Sequence, residues 1–234
     1  MERHLGAADG QPGREPSPLA SPQDTSLVHY TRSVFLPEPV ALFGNIDTQR
    51  CEMGAIHVHE FMSLDGVIDA PTWTFDYGFD PMMGEAIGAA TERSEGILLG
   101  RTTYEMSEPA WSQRTVEDDP GAPFFNDTTK YVVSGTLTDA TWRNSKILGP
   151  YDADRIRNLK DDVEGDLYVS GSVTLVRALL TDGLVDQLLL FVYPLTRGSG
   201  PRLFPEDAAP AKLSLARCES YENGVAHLAY RPDA

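Results

Sequence analysis

Gly96-Ile-Leu-Leu-Gly100, followed at once by Arg101-Thr102-Thr103-Tyr104-Glu105, is a short apolar strand that runs straight into the start of a helix. The run has no polar face, so it suits a strand covered on both sides, as in a parallel sheet with helices packed above and below. The same reading repeats outward along the chain. Lys130-Tyr-Val-Val-Ser134, Asp166-Leu-Tyr-Val-Ser170 and the longer Leu184–Tyr193 are further apolar strands, and Ala55–Met62 is the first one. Between them, Pro81–Arg93 reads as a helix with Asp80 as its cap and Pro81 in the tolerant first turn. Asp152–Val163 is helical, with Ile156, Leu159 and Val163 spaced by three and four, and so is Ser172–Thr181. Near the C-terminus, Leu213–Glu222 and Val225–Arg231 flank Asn223-Gly224, a hairpin turn signal. Alternating strands and helices with a closing hairpin predict an α/β fold: a mixed, mostly parallel sheet flanked by helices, with a C-terminal antiparallel hairpin.

Composition sets limits on function. The 234 residues are 41% hydrophobic and 23% charged, the balance of a globular protein able to bury its own core. Nineteen Lys plus Arg against 35 Asp plus Glu give a net charge of −16, which argues against a nucleic-acid partner and against an anionic membrane surface. Two cysteines, Cys51 and Cys218, are too few for a disulfide framework or a four-cysteine zinc site. No run is long enough to span a membrane and the first residues are polar, so a cytoplasmic protein is expected. Residues 1–52 hold six of the seventeen prolines and lack periodicity. They read as a disordered tail, a weakly docked arm around Leu27–Phe43, or residues upstream of the true start, with the folded domain over 53–234.

Three strand exits carry candidate chemistry. Gly100-Arg101-Thr102-Thr103 opens a helix whose free N–H groups and arginine could hold an anion, or whose threonines could simply cap it. Val133-Ser134-Gly135-Thr136 places small polar residues after a buried strand, an ordinary turn if taken alone. Ser170-Gly171-Ser172-Val173 brings a glycine, and then a second helix start, to the same edge. Neither a G-x-G-x-x-G fingerprint nor a P-loop occurs. Ligands of such sheets bind beyond the carboxyl ends of the strands, which is where these exits lie.

With these segments in order, the chain resembles the dihydrofolate reductase-like superfamily, in the branch of the RibD C-terminal (riboflavin-biosynthesis reductase) domain and its stand-alone relatives. The likeness rests on Phe61-Met-Ser-Leu-Asp-Gly-Val-Ile68, Leu98-Leu-Gly-Arg-Thr-Thr-Tyr-Glu-Met106 with Trp111, Lys130–Ser134, Tyr168–Gly171, Leu184–Leu188 and Pro194–Phe204, and it spans about residues 55–231. The resemblance implies an NADPH-dependent reductase acting on a small heterocyclic or ribosylamino-pyrimidine or pteridine-like metabolite. It implies that Gly100, Arg101, Thr102 and Thr103 meet a cofactor phosphate, that Ser134 lies by the adenosine ribose and its 2′-phosphate, and that Gly171, Ser172 and Val173 line the pyrophosphate and nicotinamide. Asp65 would face the substrate or nicotinamide pocket, and the Gly198-Ser-Gly200 loop would shape the same cleft. The glycine pair usual in the family is reduced here to Gly171 alone, a departure that bears on the peptide geometry at that point. The resemblance also suggests a homodimer through the C-terminal strands; the apolar length of Leu184–Tyr193 could pack internally or against a partner.

A hydride transfer also needs a proton. Asp76, Asp80 and Glu85 follow the first turn, and Glu85 could face the cleft as the catalytic acid, while Asp80 fits a helix cap. Trp73, Phe75, Tyr77 and Phe79 could stack on a flat ring or fold onto the core. Trp111 reads as packing under the cofactor helix. His57 and His59 share a strand face but lack the convergent partners of a metal site, so no metal is expected. A second reading stays open: a non-catalytic nucleotide-binding or oligomerisation module on the same fold.

Overall fold

Each long apolar run becomes a strand. The computed structural model describes residues 54–69 and 71–233, so the expectations for residues 1–52, Cys51 included, lie outside the described residues. The strands are β1 (Ile56–Ser63), β2 (Ser94–Gly100), β3 (Thr129–Val133), β4 (Ser145–Gly149), β5 (Asp166–Val169), β6 (Gln187–Tyr193), β7 (Leu213–Ser220) and β8 (Ala226–Pro232). They form one sheet in the order β4-β3-β2-β5-β1-β6-β8-β7. Every pairing from β4 to β6 is parallel, and β8 joins β6 and β7 antiparallel, which is the mixed, mostly parallel architecture with a C-terminal hairpin that the sequence predicts. The helices are α1 (Pro81–Thr91), α2 (Arg101–Trp111), α3 (Ala122–Asp127), α4 (Ala153–Asp162) and α5 (Val173–Thr181), with a short 3-10 helix over Pro71–Tyr77.

Both faces of the central strands are covered. On one, Ile56, Val58, Leu98, Leu167, Val169, Leu188 and Leu190 pack with Ile156 of α4 and Leu175, Val176 and Leu179 of α5. On the other, Ile97, Leu99 and Tyr168 meet Tyr104 of α2 and Trp142, while Phe191 and Tyr193 meet Trp73 and Met83. Each fully buried Leu, Ile or Phe contributes about 1.5–3 kcal/mol of burial free energy, so the sheet is held mainly by these layers. β6 lies between β1 and β8 with Leu188, Leu189, Leu190, Phe191 and Tyr193 buried, so its apolar length packs internally. Among the described residues no helix is long and apolar enough to cross a membrane.

Two elements escape the periodicity argument. β4 is an edge strand without a buried run. α3 is six residues long, too short to be stable alone, and tertiary contacts hold it. Lys130, fully buried, donates through Nζ to the carbonyls of Phe125 (2.8 Å), Asn126 (3.2 Å) and Thr128 (2.9 Å), and lies 4.7 Å from the Trp142 ring centre. Burial pulls this amine down to about 8. Asn126 donates to the Trp111 and Arg114 carbonyls and accepts from Trp142 Nε1 at 2.7 Å. This polar knot fixes Trp111, Phe125 and Trp142 as one wall of the cavity described next.

Candidate active site

The sheet opens where β1 outruns β5. The β1–β5 ladder ends at Val58–Val169, whereas β1 continues beside β6 as far as Ser63–Tyr193. Beyond Val58, therefore, β1 has no strand on its β5 side, and the chain leaves β5 through Ser170-Gly171-Ser172. A cavity of about 660 Å³ occupies the region, within the range of ligand sites. Thr102, Thr103, Ser170, Gly171, Ser172 and Val173 form its polar end. Phe61, Phe75, Phe79, Ile87, Trp111 and Tyr193 line its aromatic and apolar part.

The polar end is built by close approach. Gly171 sits at φ +64°, and a Cβ there would come 2.8 Å from Thr103 Oγ1. A Cβ on Gly100 would run into Ser172 Oγ. Two glycines thus let the exits of β2 and β5 touch, and the peptide between Gly171 and Ser172 is cis. α2 starts from Gly100 and α5 from Ser172, and neither start has a side-chain cap, which leaves first-turn N–H groups of both helices free for an anion.

The floor carries two buried polar side chains. Glu60 is 5% exposed, and its Oε1 accepts one hydrogen bond, from Gly171 N–H at 3.1 Å. Burial pushes its carboxyl up to about 8, with the Gly171 N–H pulling the other way. His59, 2% exposed, has no hydrogen-bond partner on either ring nitrogen among the described residues. It lies between Tyr168 (5.6 Å), Phe61 (4.9 Å) and Phe191 (5.0 Å), and burial brings it down to about 3, so it is neutral. Burial likewise raises the Tyr168 hydroxyl and takes that of Tyr193 to about 12.

The sequence-derived residues divide. Thr102, Thr103, Gly171, Ser172 and Val173 meet at the cavity, and Gly100 supports them from behind. Arg101 is exposed outside the lining; it donates to Thr136 Oγ1 at 2.7 Å and pairs with Glu105 at 3.2 Å. Ser134 does not line the cavity, because its hydroxyl accepts from Thr136 N–H and Leu137 N–H and so closes its own turn. Asp65 is not among the lining residues either. Its carboxylate takes hydrogen bonds from Ser63 Oγ (2.6 Å), Arg197 N–H (3.0 Å) and Gly198 N–H (2.8 Å), with Arg202 at 3.8 Å, and these donors hold it well below the usual carboxylate range. Asp65 therefore ties the first turn to the Gly198–Gly200 loop. Glu85 is exposed on α1 and away from the lining. Asp80 caps α1 through Met82 N–H and also takes Glu222 N–H.

The aromatic cluster splits as well. Trp73 is buried edge-on against Tyr193, and Tyr77 packs beside it, whereas Phe75 and Phe79 stand exposed at the cavity mouth. Trp111 lines the cavity and stacks on Phe125 at 4.3 Å. His57 is bound up with Asp166 (3.5 Å) and Arg93 (3.3 Å). Sequence reasoning misses Glu60 and His59 as cavity residues. The available signal was a carboxylate in mid-strand, flanked by His59 and Phe61.

The sequence profile of the RibD C-terminal domain matches residues 55–227. Uncharacterized protein YyaP of Bacillus subtilis (strain 168) is 25% identical over 180 residues, covering 72% of this chain and 90% of its own length. A solved structure from Shewanella sp. PV-4, named for riboflavin biosynthesis, superposes with a TM-score of 0.64 at 21% identity, over 77% of this chain and 99% of that one. The diaminohydroxyphosphoribosylaminopyrimidine deaminase/5-amino-6-(5-phosphoribosylamino)uracil reductase of Thermotoga maritima gives a TM-score of 0.56 at 15% identity, over 77% of this chain and 57% of that one. Likeness to solved structures at such identities speaks for the fold.

Proposed function

The chain belongs to the RibD C-terminal domain family, and from that premise we propose that it is an NADPH-dependent reductase of a small heterocyclic metabolite. The observation that carries this reading is the meeting of two uncapped helix starts, α2 and α5, at the polar end of a cavity whose other part is aromatic. The cradle left by Gly171 against Thr103 fits a group that must approach the backbone closely, as a pyrophosphate does. Thr102, Thr103, Gly171, Ser172 and Val173 would hold it. When bound, the reduced nicotinamide would supply a hydride to an electron-poor ring carbon. Phe75, Phe79, Phe61 and Tyr193 would hold a flat ring beside it and exclude water. Arg101, outside the cavity and joined to Thr136, would meet the 2′-phosphate that distinguishes NADPH from NADH.

The electrostatics favour an unphosphorylated substrate. Among the described residues lining the cavity, Arg114 is the one Lys or Arg; it lies over Trp111 at 4.8 Å and 3.7 Å from Asp119. Asp69 and Asp119 share the same walls. A substrate phosphate would meet carboxylates there and an arginine already engaged. Calorimetric titration with NADPH and NADH, followed by NADPH oxidation with matched phosphorylated and unphosphorylated ribosylaminouracils and a dihydropterin, tests both parts. Absence of NADPH binding overturns the reading, and preference for the phosphorylated ring overturns the substrate class.

The same reading includes a homodimer. β7 is the outer strand of the sheet, with most of its residues exposed, Leu215 among them, so its free edge can pair with a second copy. Light scattering that finds a monomer at micromolar concentration removes this part.

A further inference from the structure

Glu60 and Asp65 lie five positions apart and hold opposite surroundings. Asp65 is saturated by Ser63, Arg197 and Gly198, with Arg202 beside it, so at neutral pH it is an anion with no proton to give. Glu60 is set in mid-strand between apolar Val58 and Met62 on its own face, it lines the cavity, and one backbone N–H reaches it. No arginine or lysine pairs with it among the described residues. A carboxylate so placed would be a buried charge with one donor, whereas the neutral acid keeps an O–H to offer into the cavity.

We propose that Glu60, not Asp65, hands the proton to the substrate, an assignment that rests on the reductase reading. As the carbon of a C=N bond (the sugar imine of a ribosylamine or the ring imine of a dihydropterin) accepts a hydride from the reduced nicotinamide, which is thereby oxidised, the C=N π pair moves onto nitrogen. That pair takes the proton as the Glu60 O–H bond breaks, so an N–H forms and Glu60 is left as a carboxylate that water reprotonates. Gly171 N–H, on the loop that would hold the cofactor, accepts no part of the proton but steadies the carboxylate formed. The other titratable groups on the cavity walls are His59, Asp69, Arg114, Asp119, Tyr168 and Tyr193; burial, rather than any of these charges, keeps the acid neutral.

The test uses the full chain and Glu60→Gln, which keeps the shape and an acceptor for Gly171. Difference infrared spectroscopy, titrated through about pH 8, should show the C=O stretch of an un-ionised acid vanish with rising pH in the wild type and be missing from E60Q. Turnover on an unphosphorylated ribosylaminouracil or a dihydropterin should fall by about 10²–10⁴-fold in E60Q, with NADPH affinity kept. The wild-type rate should decline above about pH 8 while the E60Q profile is flat.

Stability gives a third readout. Below 4.5 folded and unfolded chains both hold this proton; between 4.5 and about 8 only the folded chain does, so stability falls as pH rises through that window. The melting temperature of E60Q should therefore gain on the wild type over the same window. A missing infrared band, or full E60Q turnover beside intact NADPH binding, overturns the assignment alone; loss of NADPH binding by the wild type overturns the reductase reading with it.

Discussion

Helices in this molecule begin in two ways, and the two helices that start at the cavity share one of them. α1 and α4 start on aspartates: Asp80 accepts from Met82 N–H and Asp152 from Arg155 N–H, both at 2.9 Å. α2, α3 and α5 start on Gly100, Gly121 and Ser172 with no side-chain cap, and of these α2 and α5 start at the cavity. A cap is worth about 0.5–2 kcal/mol, and a carboxylate at a helix start is favoured further by the macrodipole. A chain with 35 acidic residues nevertheless puts none in the first turn of α2 or α5, the two helices whose starts border the cavity. The first-turn N–H groups of α2 and α5 thus stand beside the cavity without a side-chain partner, where the proposed cofactor would reach them, while the caps of α1 and α4 serve stability.

That contrast can be broken directly. Gly171→Val should have the largest effect: the side chain meets Thr103 and a β-branched residue is forced to φ +64°, a cost of about 1–3 kcal/mol. Calorimetry should find NADPH binding lost and the melting temperature lowered. Ser172→Asp gives α5 the acidic cap that α1 and α4 possess. The expected result is unchanged or slightly raised stability with NADPH affinity reduced about tenfold or more, because the new carboxylate competes for the same N–H groups. Arg101→Ala should weaken NADPH by about 1.5–3 kcal/mol and NADH much less, measured by the same titration; equal losses would move Arg101 to the pyrophosphate. Asp152→Ala sharpens the comparison from the scaffold side: about 1 kcal/mol of stability lost in urea unfolding, with nucleotide affinity unaltered.

Much of the architecture is legible because burial on both faces leaves a plain mark. Ile97, Leu98 and Leu99, set between glycines, and Leu188 to Phe191 read as covered strands, and all of them are buried. β4 and α3 are not legible, since β4 stays half-exposed and α3 depends on Lys130 reaching back to its carbonyls and on its own Asn126 reaching out to those of Trp111 and Arg114. At the site, residues on helix starts can be read because glycine and hydroxyls following a strand have a local meaning. Asp65 and Ser134 stand outside the cavity lining for the same reason: a carboxylate or hydroxyl in a turn can satisfy the turn itself, and here each does. Glu60 is hidden because an acid in an alternating strand reads as solvent-facing. Its burial follows from β1 extending past Val169 of β5, a property of the register and not of the neighbouring residues.

The aromatic wall also gives the molecule an optical gauge of its own. Trp111 and Trp142 border the cavity, and Trp73 rests on Tyr193, which borders it too, so all three indoles of the chain sit within a ring or two of the same space. Reduced nicotinamides absorb where indoles emit. Occupancy of the cleft should therefore dim the native fluorescence and light up the nicotinamide, letting binding be followed on unlabelled protein, mixing experiment by mixing experiment.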